Sequence, residues 1–208
     1  SSDNSFKSSS RLAETATFQP LLANLIAKAL PIPVLPPVIQ IVFLFILYCY
    51  IIIMIKNKFL TFILFFFITY SASLIGGLAT INFKEPWYSQ LIKPSFNPPD
   101  WIFAPVWTTL YLMMTVAIWF FWHSKNRNMN TVYIYFIHLI FNTTWSIIFF
   151  VFHNIFLALI ILIILIVLII ILIVRFKRVN LLSTYLMIPY LLWCCYALIL
   201  NLNLLILN

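Results

Sequence analysis

Glycine and acidic residues are scarce in this chain of 208 residues. It contains two glycines and four acidic side chains, and charged residues make up only 8% of the composition. Soluble domains carry about 25% charged residues and roughly 45–50% apolar ones. The 64% hydrophobic content found here therefore excludes an ordinary soluble globular protein. The composition predicts a polytopic membrane protein, with the lipid bilayer as its first partner.

Negative charge is too scarce to balance the 12 lysines and arginines, so the formal net charge is +8. In a soluble protein such an excess would suggest nucleic acid. Here the basic residues lie in short segments between apolar runs, where they set membrane orientation, and we expect no nucleic-acid partner. The three cysteines (Cys49, Cys194 and Cys195) lie inside apolar runs and fit neither a disulfide framework nor metal-ligand spacing. The sequence therefore predicts no metal site.

Residues 1–53 are expected to be a leader or an upstream extension. They include a Ser-rich opening, a proline-rich spacer at 31–37 and the beginning of an apolar run at 38–55, which is about as long as the shortest membrane helix. The first methionine is Met54, and lysines and a long apolar run follow it, as at the start of many short bacterial membrane proteins. We expect native translation to begin at Met54, with 54–208 as the membrane domain. Residues 1–53 are then an upstream extension, a targeting region or an accessory anchor, and the run 38–55 is a candidate extra helix.

Five further apolar segments are each near the 20 or so residues that cross a bilayer as a helix. The predicted fold is an all-α integral membrane protein, a bundle of five transmembrane helices. The almost pure Ile and Leu composition of the fourth segment predicts a helix that faces lipid and braces the others. The predicted spans are 59–80, 101–122 or 105–122, 131–150, 154–174 and 181–207.

Basic residues alternate between the connections. Lys56 and Lys58 precede the first span, and the segments 125–127 and 175–178 follow the second and fourth spans. In the loop 84–100, two lysines are balanced by two acids. The positive-inside rule therefore predicts that the basic connections are cytoplasmic and that the loop 84–100 and the carboxyl end lie on the opposite face.

The stretch 76–122 is the most distinctive part of the sequence, because it holds both glycines and five of the seven tryptophans. It combines the end of one span, a proline-stiffened aromatic loop and the next span, and we expect a recognition site beneath that loop. Gly76 and Gly77 are expected to allow close helix approach. The aromatic residues at either end of the second span are expected to be interfacial anchors: Trp87, Tyr88, Trp119 and Trp122.

Polar and aromatic side chains recur at helical spacing in three spans. Such groups are costly in a bilayer and normally face the bundle interior or a cavity, so they predict an interior suited to a flat apolar ligand. The asparagines and Tyr190 could equally hydrogen-bond across helices as structural contacts. His138 could ligate haem, although no second buried histidine pairs with it. The three faces comprise Trp107 and Tyr111; His138, Asn142 and Trp145; and Tyr190, Trp193, Ala197 and Asn201.

Three blocks of this sequence occur in the order known from one membrane protein family. The segments WYSQLIKPSFNPPDWIFAPVWTTLY, HLIFNTTWSIIFF and PYLLWCCYALILN resemble the signature of the translocator protein (TspO/MBR) family, also called tryptophan-rich sensory proteins or peripheral benzodiazepine receptors. The resemblance covers residues 54–208. It implies a five-helix membrane fold, frequently dimeric, in a bacterial envelope or mitochondrial membrane. The implied function is that of a receptor or translocator, with a sensing or transport role.

The resemblance also implies a ligand and a site. The ligand would be a porphyrin or haem-like tetrapyrrole held in a cavity closed by the first loop, which is the loop 84–100 between the first two spans. No cofactor would be required. An alternative is a light- and oxygen-dependent porphyrin-degrading enzyme that uses Trp107 and Trp193. Two positions depart from the family pattern, since His138 replaces a usual glutamine and Thr115 a common glycine. The implied ligand-binding residues are Trp107, Tyr111, His138, Asn142, Trp145, Tyr190, Trp193 and Ala197, and the implied lid residues are Trp87, Lys93, Pro94 and Phe96.

Overall fold

Five long apolar helices make up most of the described chain. The structure is a computed structural model that describes residues 57–208, so the predictions for residues 1–53 and for the run 38–55 lie outside the described residues. All five helices are long and apolar enough to cross a membrane, as the sequence predicted. In chain order the α-helices are α1 (Lys58–Phe83), the short α2 (Trp87–Gln90), α3 (Phe103–Trp122), α4 (Met129–Ser146), α5 (Ile155–Lys177) and α6 (Leu181–Leu207).

Asparagine side chains begin four of the five long helices. Asn57 Oδ1 accepts a hydrogen bond from the Phe59 amide at 2.9 Å, and Asn154 Oδ1 accepts one from the Leu157 amide at 2.8 Å. Asn128 and Asn180 cap α4 and α6 in the same way. These bonds satisfy amides that have no partner inside the helix. In these four helices the asparagine before the apolar run therefore fixes where the helix begins, within three residues of the predicted positions.

The five long helices form a closed ring that differs from their order along the chain. α1 packs against α3 and α4, α3 also packs against α6, and α5 lies between α6 and α4. On α5 the buried residues recur every three or four positions, while most of its other side chains are exposed. This pattern confirms that the fourth span braces its neighbours with one face, and the rest of its surface is exposed, as expected of a helix that faces lipid.

A π-helical turn, Ile147–Val151, ends the third span. The sequence predicted an ordinary helix here, and the structure corrects that expectation. The turn buries the rings of Phe149 and Phe150, which pack against Tyr88 of the first loop at ring-centroid distances of 6.2 and 5.9 Å. The wider turn therefore joins α4 to the loop above the bundle.

Three hydrogen bonds join the first loop, which connects α1 to α3, to residues of α6 and its C-cap. The Tyr196 hydroxyl donates to the Phe96 carbonyl at 2.8 Å. The Asn208 side chain accepts from the Ile92 amide at 2.9 Å and donates to the Ile92 carbonyl at 3.1 Å. These contacts hold the loop over one end of the bundle.

Two of the four expected interfacial anchors are buried. Only 6% of Tyr88 and 2% of Trp122 is exposed. Trp122 packs edge-on against Phe65 at 5.9 Å, and the Arg127 guanidinium covers its ring at 4.4 Å. These two aromatic rings therefore serve packing within the protein instead of lying free at an interface.

Candidate functional site

A cavity of about 620 Å³ lies among α1, α3, α4 and α6, beneath the first loop. Its size falls in the range of about 300–1,000 Å³ that is typical of small-molecule sites. α5 contributes no residue to its wall. The ring order explains this arrangement, because α5 packs behind α4 and α6.

Three indoles dominate the wall of the cavity, one from each of three helices. Trp107 belongs to α3, Trp145 to α4 and Trp193 to α6. Neighbouring aromatic rings hold each of them in place. Trp145 stacks on Phe149 at 5.2 Å, Trp193 meets Phe103 edge-on at 6.0 Å, and Trp107 lies 5.5 Å from its wall neighbour Tyr111.

A layer of hydrogen-bonded side chains forms the deep end of the cavity. The Tyr111 hydroxyl donates to Asn142 Oδ1, and Asn142 Nδ2 donates to the Tyr190 hydroxyl oxygen at 2.9 Å. This bridge joins α3, α4 and α6. The expectation that asparagine and tyrosine hydrogen-bond across helices is thereby confirmed for Asn142 and Tyr190, while Asn142 also lines the cavity.

Asn201 supplies a second polar contact on the wall. When its amide group donates to the Ile155 carbonyl at 3.0 Å, its oxygen accepts from Trp145 Nε1 at 3.2 Å. The asparagine therefore orients the Trp145 indole and satisfies the indole N–H, so that the ring can present an apolar surface to the cavity.

Among the described residues, the charged side chains of the cavity wall all lie at the end next to the first loop. Lys84 ends α1, and its ammonium pairs with Asp100 and, at 3.7 Å, with a Glu85 oxygen. Tyr88 lies beside them, and burial together with the nearby Asp100 carboxylate raises the pKa of its hydroxyl. The cavity is thus apolar and aromatic in its depth and charged at its mouth.

Six of the eight predicted ligand-binding residues line this cavity. The other two, His138 and Tyr190, lie beneath its floor. His138 is fully buried, its Nδ1 bonds to the Tyr135 carbonyl, and its Nε2 has no hydrogen-bond partner among residues 57–208. The six residues in the wall are Trp107, Tyr111, Asn142, Trp145, Trp193 and Ala197.

The predicted lid residues Trp87, Lys93, Pro94 and Phe96 do not themselves line the cavity. Trp87 stacks on His153 at 4.4 Å and meets Phe149 edge-on at 5.3 Å. The Lys93 ammonium lies over the wall residue Tyr88, 4.3 Å from its ring centroid. Trp87 and Lys93 therefore contact the wall residues Phe149 and Tyr88 from outside the cavity.

Several residues of the cavity wall were not predicted from the sequence. Gly76 and Gly77 both line the cavity, as do Lys84 and Asp100 from the two ends of the first loop. A Cβ at Gly76 would lie 3.1 Å from Ser146 Oγ, whereas one at Gly77 would meet nothing within 4 Å. The expected close helix approach is therefore confirmed at Gly76 but not at Gly77, where the missing side chain leaves space beside the cavity.

Comparison with known proteins identifies the family. The family model described as "TspO/MBR family" matches residues 62–207, which include parts of all five long helices. The chain belongs to the TspO/MBR family. It is therefore an integral membrane protein of that family, and the residues of its cavity all lie within the matched range.

Relatives in the TspO/MBR family include bacterial and animal proteins. The chain is 35% identical to the tryptophan-rich protein TspO of Chlorobaculum tepidum over 126 residues, which is 59% of this chain and 79% of that protein. It is 29% identical to the tryptophan-rich sensory protein of Cereibacter sphaeroides over 144 residues, covering 68% and 90%. It is also 31% identical to the translocator protein of Homo sapiens over 119 residues, covering 55% and 70%.

Proposed function

We propose that this protein binds a porphyrin or a similar flat tetrapyrrole in the cavity beneath the first loop, in a sensing or transport role. The observation that carries the proposal is the wall itself, in which Trp107, Trp145 and Trp193 from three helices enclose a volume of about 620 Å³. A broad flat ligand gains most from stacking and burial against indole rings. Such aromatic contacts contribute roughly 0.5–1.5 kcal/mol each beyond the burial of area.

The distribution of charge favours one orientation of the ligand. The macrocycle would lie among the indoles, above the layer formed by Tyr111 and Asn142. Its carboxylates would lie at the loop end, where Lys84 is the cation of the wall. This orientation avoids the cost of placing an unpaired charge in the apolar depth of the bundle.

The proposal is tested by adding protoporphyrin to the protein in detergent. Bound porphyrin should quench tryptophan fluorescence saturably at micromolar concentration, and Trp107→Phe and Trp193→Phe should each reduce the quenching because an indole is lost from the wall. Trp119, which lies outside the cavity wall, provides the matched control as Trp119→Phe. If neither wall variant changes binding while both remain folded, the aromatic wall is only helix packing and the proposal is wrong.

A second candidate is the light- and oxygen-dependent degradation of porphyrin. It is favoured by one observation, that Trp107 and Trp193 face the same cavity. Binding and degradation are separated by recovering the porphyrin after illumination in air. Unchanged porphyrin supports binding alone, whereas a new product that the two phenylalanine variants no longer form supports the enzyme.

We further propose that the basic connections are cytoplasmic and that the first loop faces the opposite side. The support is the charge alternation, since Lys125 and Arg127 lie at one end of the bundle and Arg175 and Lys177 follow at the same end. In a background without native cysteines, external labelling should reach a cysteine at Ser89 and not one at Asn126, and the reverse pattern would overturn the orientation.

We also propose that the protein forms a homodimer, on the basis of the family resemblance alone.

A further inference from the structure

The mouth of the cavity holds a charge cluster with an uneven exposure to solvent. The Lys84 side chain is only 21% exposed, whereas those of its partners Glu85 and Asp100 are 57% and 56% exposed. A carboxylate that is half exposed can regain water when it loses its partner. The Lys84 side chain has much less contact with water, so Lys84 requires an anion more than either acid requires Lys84.

The position of Lys84 is fixed by the end of α1. Lys84 is the C-cap residue, and its amide donates to the Thr80 carbonyl. Asp100 begins the 3-10 turn Asp100–Ile102, which leads into α3. Their ion pair therefore closes the base of the first loop directly across the cavity mouth.

We propose that Lys84 is the residue that recognises a carboxylate of the bound ligand, and that the ligand carboxylate takes the place of Asp100 on the Lys84 ammonium. The exchange replaces one charge-assisted hydrogen bond with another, and the displaced Asp100 carboxylate turns to water. This inference rests on the proposed function and names the group that distinguishes an acidic tetrapyrrole from an uncharged one.

Lys93 is the competing cation on the same loop, and the sequence of the loop alone does not separate the two lysines. In the structure the Lys93 ammonium lies over the Tyr88 ring at 4.3 Å and outside the cavity wall, whereas Lys84 is part of that wall. The Lys84 ammonium also lies over the Tyr88 ring, 5.4 Å from its centroid, so it is the position in the wall that distinguishes the two lysines. The geometry therefore assigns the recognition of the carboxylate to Lys84.

The test compares protoporphyrin with its dimethyl ester, which keeps the macrocycle and removes both negative charges. The ratio of the two affinities is measured in detergent for the wild type, Lys84→Met, Lys93→Met and Asp100→Asn. Lys84→Met should weaken binding of the acid by about tenfold and leave the ester unchanged. Lys93→Met is the matched control and should leave the ratio unchanged, while Asp100→Asn should tighten binding of the acid because it removes the competing carboxylate.

In each variant, binding of the dimethyl ester shows that the cavity is intact. A change in the ratio of the acid and ester affinities therefore cannot result from a loss of folding. An acid-to-ester ratio that is the same in Lys84→Met and the wild type would overturn the inference and leave the proposed function standing. A ratio that responds to Lys93→Met instead would also overturn it. A wild type that binds neither compound would overturn the proposed function and this inference with it.

Discussion

His138 shows how a residue on the correct helical face can still lie outside the site. His138, Asn142 and Trp145 share one face of α4, as their spacing predicted. Helical periodicity gives the direction of a side chain around the axis, but not the depth at which a cavity ends. His138 lies four residues before Asn142, about 6 Å farther along the axis. The layer formed by Tyr111, Asn142 and Tyr190 closes the cavity at that level.

The position of His138 beneath the cavity floor predicts the effect of changing it. His138→Gln should keep the affinity for protoporphyrin within about tenfold of the wild type, or about 1.4 kcal/mol, because the imidazole lies beneath the floor and not in the wall. The measurement is the fluorescence titration in detergent, with thermal unfolding as the check on folding. A complete loss of binding in a well-folded His138→Gln protein would instead indicate that the imidazole ligates haem or a metal.

The charged mouth could not be predicted from single residues. Lys84 and Asp100 are 16 positions apart, and their pairing depends on the path of the loop between them. In the sequence their opposite charges balance each other, which bears only on the orientation in the membrane. The two side chains are in contact because the fold brings both ends of the loop to the same cavity.

At the scale of the helices, the long apolar runs predicted the five spans well. The length of an apolar run and the asparagine before it determine most of a membrane helix, as α6 shows by occupying the predicted 181–207. The π-helical turn was not predictable in this way. It depends on the packing of Phe149 and Phe150 against the loop residues Trp87 and Tyr88, which are far away in the sequence.

The two glycines of α1 make a matched pair for testing the packing of α1 on α4. Alanine is favoured over glycine in a helix interior by about 1 kcal/mol. Gly77→Ala should therefore raise the midpoint of thermal unfolding, because its Cβ meets nothing within 4 Å. Gly76→Ala should gain less or lose stability, because its Cβ would lie 3.1 Å from Ser146 Oγ.

The control for Gly76 removes the crowding atom. Adding Ser146→Ala to Gly76→Ala should recover the stability that Gly77→Ala gains, since the remaining neighbour, Ser146 Cβ, lies at an ordinary contact distance of 3.5 Å. Thermal unfolding of the purified variants in one detergent provides the comparison. Equal stabilisation by Gly76→Ala and Gly77→Ala would show that α1 and α4 are not closely packed at this level.

At the scale of the whole molecule, the ring of helices decides where the site lies. The sequence predicted three aromatic faces, but not which helices would be neighbours. In the structure α3 contacts both α1 and α6, which brings Trp107 close to Tyr190, with their rings 6.2 Å apart. α5 closes the ring from behind and leaves the cavity to the other four helices. The positions of the faces were therefore predictable from residue spacing, whereas their assembly into one cavity was predicted only by the family resemblance, because spacing does not say which helices are neighbours.

If a flat ligand occupies the space between the indoles, a side chain that fills this space should exclude the ligand. Ala197 lines the cavity on α6, and Ile199 on the same helix is 52% exposed. Ala197→Phe should abolish saturable binding of protoporphyrin, because the new ring takes up the ligand's space beside Trp107 and Trp145. Ile199→Phe should bind like the wild type. Undiminished binding by a folded Ala197→Phe protein, measured as porphyrin that co-elutes with the protein, would contradict the account.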